Sequence, residues 1–155
     1  MTANHRRTAL LLVALASCAP PGTEGHAPAA LSGEWVDDYG IRYLIADTLW
    51  LQRPSAAYRV IRWEAEEQFL VAQNDPDNPA DGRLFTRMDW VPLQESAPWE
   101  WAFCMATWDA NSAEGAAMAP IPDREHLMEG CGGHPFSRMR RIPADSADLP
   151  GRGYP

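Results

Sequence analysis

Residues 33–45 decide the fold, and they read GEWVDDYGIRYLI. Two short runs of apolar and aromatic residues, 33–37 and 41–45, flank Asp38-Tyr39-Gly40, a composition typical of a tight turn. Two such runs predict an antiparallel β-hairpin. Because runs and turns continue at the same rhythm along the chain, the hairpin predicts the character of the whole domain.

Further strand candidates follow at spacings near ten residues, several of them alternating between apolar and polar residues. They are 48–51, 58–63, 68–72, 84–90, 99–105 and 135–141. This pattern predicts a mainly β fold, an antiparallel meander that closes into a small barrel or remains a curled sheet. One or two short helices are expected late in the chain. One begins at Asn111 or Ser112 and runs to Ala119, and the other runs from Asp123 to Glu129 and ends at Gly130.

Gly33-Glu34-Trp35, on the first predicted strand, resembles the Gly-x-Trp signature of lipocalins, which are small exported antiparallel barrels. In that family the Trp closes one end of the barrel beneath an Arg near the end of the last strand. The resemblance therefore implies a lipocalin-like barrel. It also implies that one of three arginines contacts Trp35, namely Arg138, Arg140 or Arg141.

The N-terminus has the parts of a secretory signal. Arg6 and Arg7 precede an apolar run at 9–16, which is shorter than the roughly 20 residues that a membrane-spanning helix needs. Leu15-Ala16-Ser17-Cys18 then resembles the lipobox of bacterial lipoproteins, which implies cleavage before Cys18 and acylation of that cysteine. Acyl chains contribute about 0.8 kcal/mol per buried CH₂, so they would hold the domain at a membrane.

The chain divides into four predicted parts. They are a signal peptide at 1–17, the lipidated Cys18 with a flexible tether at 18–30, a single β-rich domain at 31–142, and a loose tail at 143–155. Tether and tail are rich in Pro, Gly and Ala. In the lipoprotein family Ala19, rather than Asp, after the Cys implies outer-membrane sorting. We therefore expect a lipid-anchored protein of the cell envelope, at the outer rather than the inner membrane, facing the periplasm or the surface.

The charge of the chain excludes one class of partner. All 13 basic residues are Arg, and removal of residues 1–17 would take away two of them and no acidic residue. The remaining 11 Arg and the 21 Asp and Glu give a formal charge of −10. A surface this acidic argues against binding nucleic acid or anionic lipid head groups through charge. The expected partners are the membrane, through Cys18, and a small apolar ligand or an envelope protein.

Two cysteines remain after lipidation, Cys104 and Cys131. An even pair in an oxidising compartment predicts a disulfide, worth about 3 kcal/mol. One alternative is a tetrahedral zinc site in which His126 and His134 join both cysteines. Another is a nucleophilic Cys131 with one of these histidines as its base. No motif predicts a cofactor.

The seven tryptophans all lie between Trp35 and Trp108. Trp99 and Trp101 are two residues apart and so are expected to share one face of a strand, with Phe103 in line behind them. One interpretation is core packing. The other is an aromatic-lined cavity or groove for an apolar molecule or a sugar.

These observations favour a non-enzymatic, membrane-tethered β-domain that binds a small apolar ligand, a glycan or a protein partner. The expected contacts are Trp99, Trp101 and Phe103. One alternative is a structural or assembly lipoprotein with a filled core and no ligand. A second is a hydrolase-type enzyme, for which His126, His134 or an Asp are the candidate residues.

Overall fold

The structure, a computed structural model, describes residues 25–143. In this part of the chain, eight antiparallel strands follow one another around a closed barrel, and the last strand pairs with the first. The elements are β1 (Gly33–Asp37), β2 (Arg42–Ala46), β3 (Leu49–Arg53), β4 (Ala56–Glu64), β5 (Phe69–Asn74), β6 (Phe85–Pro92), β7 (Trp101–Ala110), α1 (Ala113–Ala117) and β8 (Ser137–Arg141). The predicted mainly β fold is confirmed, and the barrel is closed rather than a curled sheet.

Several predictions concern residues outside the described range. The signal peptide at 1–17, Cys18, the first part of the tether and the tail from residue 144 onward belong to this group. Within residues 25–143, no helix combines the length and the apolar character that crossing a membrane requires.

The first hairpin is organised by the carboxylate of Asp37, which is buried at the end of β1. It accepts hydrogen bonds from the backbone N–H of Tyr39 at 3.0 Å and of Ile41 at 2.8 Å, and from the hydroxyl of Tyr43 at 2.9 Å. Gly40 supplies the left-handed backbone that the turn requires, with φ +85°. Burial and then the nearby Asp37 raise the pKa of the Tyr43 hydroxyl. The turn that the sequence predicts is thus fixed by side-chain to backbone bonds.

The interior of the barrel is filled by side chains that alternate with outward-facing ones along the strands. Aromatic rings meet edge to face there, with centroids 5.2 Å apart for Trp35 and Trp101 and 5.1 Å apart for Trp50 and Phe103. The buried members of this core are Leu31, Trp35, Tyr43, Ile45, Trp50, Tyr58, Val60, Trp63, Leu70, Ala72, Met88, Trp90, Trp101, Phe103 and Met139.

The end of the barrel where β1 begins, which we call the base, is closed by Trp35 and Arg141. The guanidinium of Arg141 lies 4.2 Å from the centre of the Trp35 ring and donates a hydrogen bond to the carbonyl of Ser32 at 3.2 Å. The indole N–H of Trp35 donates to the carbonyl of Leu31 at 2.7 Å. Gly33 has φ +120°, and a Cβ there would lie 2.9 Å from Nη1 of Arg141. Of the three candidate arginines, Arg141 is therefore the one that contacts Trp35.

The first predicted late helix is present and the second is not. Ser112 caps α1 by accepting a hydrogen bond from the N–H of Gly115 at 3.0 Å. The predicted helix from Asp123 to Glu129 is wrong, because this segment contains short turns and no helical residues. There the N–H of Asp123 donates to the carbonyl of Gly130, so the chain doubles back on itself. A Cβ at position 130 would collide with the Asp123 carbonyl, which only glycine avoids.

The part of the predicted tether that the structure describes, residues 25–30, makes contacts with the barrel. The N–H of Ala27 donates to Oδ1 of Asp47 at 3.0 Å, and Nδ1 of His26 lies 3.1 Å from Oδ2 of the same carboxylate. Ala27 packs against the core. The carboxylate in the turn between β2 and β3 thus holds this segment at the base.

Candidate binding cleft on the outer wall

A long connection between β7 and β8, residues 111–136, covers part of the outer wall of the barrel, and we call it the insertion. Asp89 on β6 is fully buried beneath it and accepts hydrogen bonds from Arg87 at 2.8 and 2.9 Å and from Arg124 at 2.7 Å. Arg87 also donates to the carbonyl of Ala117 at 2.6 Å, and its guanidinium lies 3.9 Å from the ring centre of Phe69. These buried charges attach the insertion to the strands below it.

The disulfide between Cys104 and Cys131 is a second attachment, and it confirms the predicted pairing. It joins β7 to the insertion with a Cα–Cα distance of 5.5 Å. Because the two sulfur atoms are bonded to each other, neither can act as the zinc thiolate or the nucleophile considered above. Among residues 25–143, no group of three or more His, Cys, Asp or Glu is placed to hold a metal ion.

Between β7 and the insertion runs a cleft of about 800 Å³, which we call the outer cleft. Apolar side chains stand open to solvent in it, with Trp108 53% exposed and Ile121 71% exposed. The disulfide also lines the cleft. The lining residues are Cys104, Met105, Ala106, Trp108, Pro120, Ile121, Pro122, Asp123, His126, Glu129, Gly130, Cys131, Gly132, Gly133 and His134.

The polar side of the outer cleft carries acidic groups and histidines. Nδ1 of His126 hydrogen-bonds with Oδ2 of Asp123 at 2.8 Å. This bond raises the pKa of His126 above its ordinary 6.5 and lowers the pKa of Asp123. Glu129 and His134 also line the cleft, and no arginine does. The lining offers no Ser, Thr or Tyr hydroxyl.

The structure does not bring the three predicted ligand contacts together. Trp101 and Phe103 are 2% and 5% exposed and belong to the barrel core. Trp99 lies before β7, in a turn where its N–H donates to the carbonyl of Ser96. Its ring faces the guanidinium of Arg138 at 5.1 Å. The expected shared face is therefore wrong, because the strand begins two residues later than the alternation suggested.

Core side chains line two smaller pockets at the ends of the barrel. Tyr43 and Phe103 line a pocket of about 260 Å³ at the mouth, where β7 ends. Trp90 and Trp101 line one of about 250 Å³ at the base. Both are about a third of the size of the outer cleft. The outer cleft was not predicted from the sequence, although the prolines and glycines at 120–133 indicate an irregular segment long enough to form a wall.

The part of the chain that the structure describes therefore forms a filled barrel with a large cleft on its outer wall. Comparisons with protein-family models, with curated proteins and with solved structures find no match for this chain.

Proposed function

We propose that this protein is an exported, lipid-anchored bacterial lipoprotein with a lipocalin-like barrel, and that it binds a partner in the outer cleft. The contrast between the filled interior and the open cleft carries the proposal. Trp108 and Ile121 are large apolar side chains that are exposed on opposite walls of that cleft. Such exposure is typical of an interaction site. Ligand capture inside the barrel is not part of the proposal, because the interior is already packed.

The base of the barrel supports the lipocalin-like assignment. At the base, Arg141 contacts Trp35 and lies close to Gly33, and this is the contact that the resemblance implies. The strands also follow one another as a meander. The barrel also suits a lipid anchor at Cys18. The described chain enters at the base, beside Trp63, whereas the outer cleft lies along the half of β7 nearer the mouth. An anchor attached through the base would leave the cleft open to partners.

Lipidation is tested by labelling cells that express the full chain with radioactive palmitate. We expect label and membrane association in the parent protein and neither in Cys18→Ser. Equal labelling of both proteins would contradict the assignment of Cys18.

Binding in the outer cleft is tested by photo-crosslinking in the same cells. A photoreactive amino acid replaces Ile121, which lines the cleft, or Met118, which is even more open to solvent but does not line it. We expect specific adducts from position 121 and none from position 118. Identical adducts from both positions would show that the cleft is not the site.

A structural lipoprotein with a filled core and no ligand is the second candidate, and the packed interior favours it. Absence of adducts from position 121 as well as from position 118 would support this role over binding.

A further inference from the structure

Strand β7 is longer than the neighbour that closes the barrel. It pairs with β6 over its whole length, from Trp101 to Ala110, whereas β8 pairs with only its first part, Trp101–Phe103. From Cys104 onward, the side of β7 that faces away from β6 has no strand partner among residues 25–143. Such an edge presents backbone N–H and C=O groups that can pair with another chain.

The free edge of β7 runs along the outer cleft. Cys104, Met105, Ala106 and Trp108 belong to this part of β7, and all four line the cleft. The insertion forms the opposite wall, with Ile121 exposed on it. At about 3.3 Å per residue, the edge from Cys104 to Ala110 matches an extended segment of about seven residues.

We propose that an extended segment of another polypeptide adds to the edge of β7 as a further strand, with basic side chains alternating with apolar ones. This inference rests on the proposed function of the outer cleft and names the class of partner. In this mode of recognition, backbone hydrogen bonds give affinity and the flanking walls select alternate side chains.

The charges of the cleft select a basic segment. Asp123 and Glu129 line it without any arginine, and the chain as a whole has a formal charge of −8. The exposed indole of Trp108 offers its face to a Lys or Arg side chain of the partner. Asp123 raises the pKa of His126 in this lining, so His126 gains positive charge as the pH falls and binding of a basic segment weakens in acid.

The same charges argue against a second copy of this chain as the occupant. Two copies paired edge to edge along β7 would bring Asp109, Asp123 and Glu129 of each copy toward those of the other. Like charges placed opposite one another are destabilising. The purified lipoprotein is therefore expected to be monomeric through this face.

Peptides from a random library displayed on phage are selected for binding to the lipidated protein in detergent micelles. Enriched peptides are synthesised, and amide hydrogen exchange of the protein is measured with and without them. We expect peptides that alternate basic and apolar residues, with exchange in segment 104–110 slowed at least tenfold. Trp108→Ala and Glu129→Arg should each weaken binding about tenfold, whereas Met118→Ala should not.

Each contrary outcome has a distinct meaning. Failure to enrich any peptide, enrichment of acidic peptides, or self-association through β7 would overturn the proposed partner. If peptides bind Trp108→Ala more weakly but do not slow amide exchange in segment 104–110 of the parent protein, the outer cleft remains the site and strand addition is refuted. Peptides that bind Trp108→Ala and Glu129→Arg as tightly as the parent protein would refute both proposals. Thermal unfolding of the two variants verifies that they remain folded.

Discussion

The inside of the barrel and the outer cleft lie on either side of one strand, β7, and they differ in almost every respect. Trp101 and Phe103 face inward among aromatic neighbours and are nearly inaccessible to solvent. Trp108, farther along the same strand, is exposed in the cleft among carboxylates and histidines. Tryptophan therefore occupies two environments along this strand, the packed core and the exposed wall of the cleft. The change coincides with the end of the pairing with β8, whose first residue, Ser137, lies opposite Phe103.

The largest expected difference between the two regions is the effect on stability of replacing a Trp by Ala in each of them. Trp35→Ala, inside the barrel, should lower the free energy of unfolding by about 4 kcal/mol, because it leaves a large cavity in the core. Trp108→Ala should change it by less than about 1 kcal/mol, since that ring is already half in water. Urea unfolding of both variants measures the difference. Equal losses would mean that Trp108 belongs to the packed core.

The next test removes the covalent link between the two regions. Cys104→Ala combined with Cys131→Ala should lower the free energy of unfolding by about 3 kcal/mol, because the unfolded chain loses a cross-link. The variant should also bind poorly at the outer cleft, whose lining includes both residues. Urea unfolding and crosslinking from position 121 measure the two effects. Unchanged binding would show that the insertion keeps its place without the disulfide.

A matched pair of carboxylates sharpens the comparison on the outer wall. Asp89→Asn should lower the free energy of unfolding by about 2 kcal/mol, because Arg87 remains buried with its charge uncompensated. Asp123→Asn, at an exposed carboxylate in the cleft, should leave the stability unchanged within error. Urea unfolding measures both. A loss for Asp123→Asn as large as that for Asp89→Asn would contradict the contrast between the buried attachment and the open cleft.

The smallest expected effect is the titration of His126. The Asp123 carboxylate holds the pKa of His126 above 6.5, so Asp123→Asn should return it toward that value. Because the pKa is raised on folding, the stabilisation from this pair is complete below pH 6.5 and is lost as the pH rises through the folded pKa. At the acidic end it is lost as the pH falls through the lowered pKa of Asp123. NMR titration of the imidazole protons measures the shift, and no change in Asp123→Asn would contradict the bond.

Local features of the sequence predicted much of the fold. The hairpin around Gly40, the rhythm of eight strands and the cap at Ser112 depend on residues close in the chain, and the structure contains all three. The pairing of Cys104 with Cys131 needed only the count of cysteines and the expectation of an oxidising compartment. The predicted acylation of Cys18 is equally local, and it remains a prediction.

Tertiary structure alone decided the interior and the site. The pairing of β8 with β1 determines which arginine contacts Trp35. Trp99 lies outside β7 because it belongs to the turn before that strand. The packed interior and the outer cleft result from closure of the barrel and from the length of β8. These are contacts between residues far apart in sequence, and register and closure depend on the packing of the whole sheet. The amino-acid sequence by itself therefore determined the strands and turns of this protein, whereas the surfaces available for binding were set by how the strands meet.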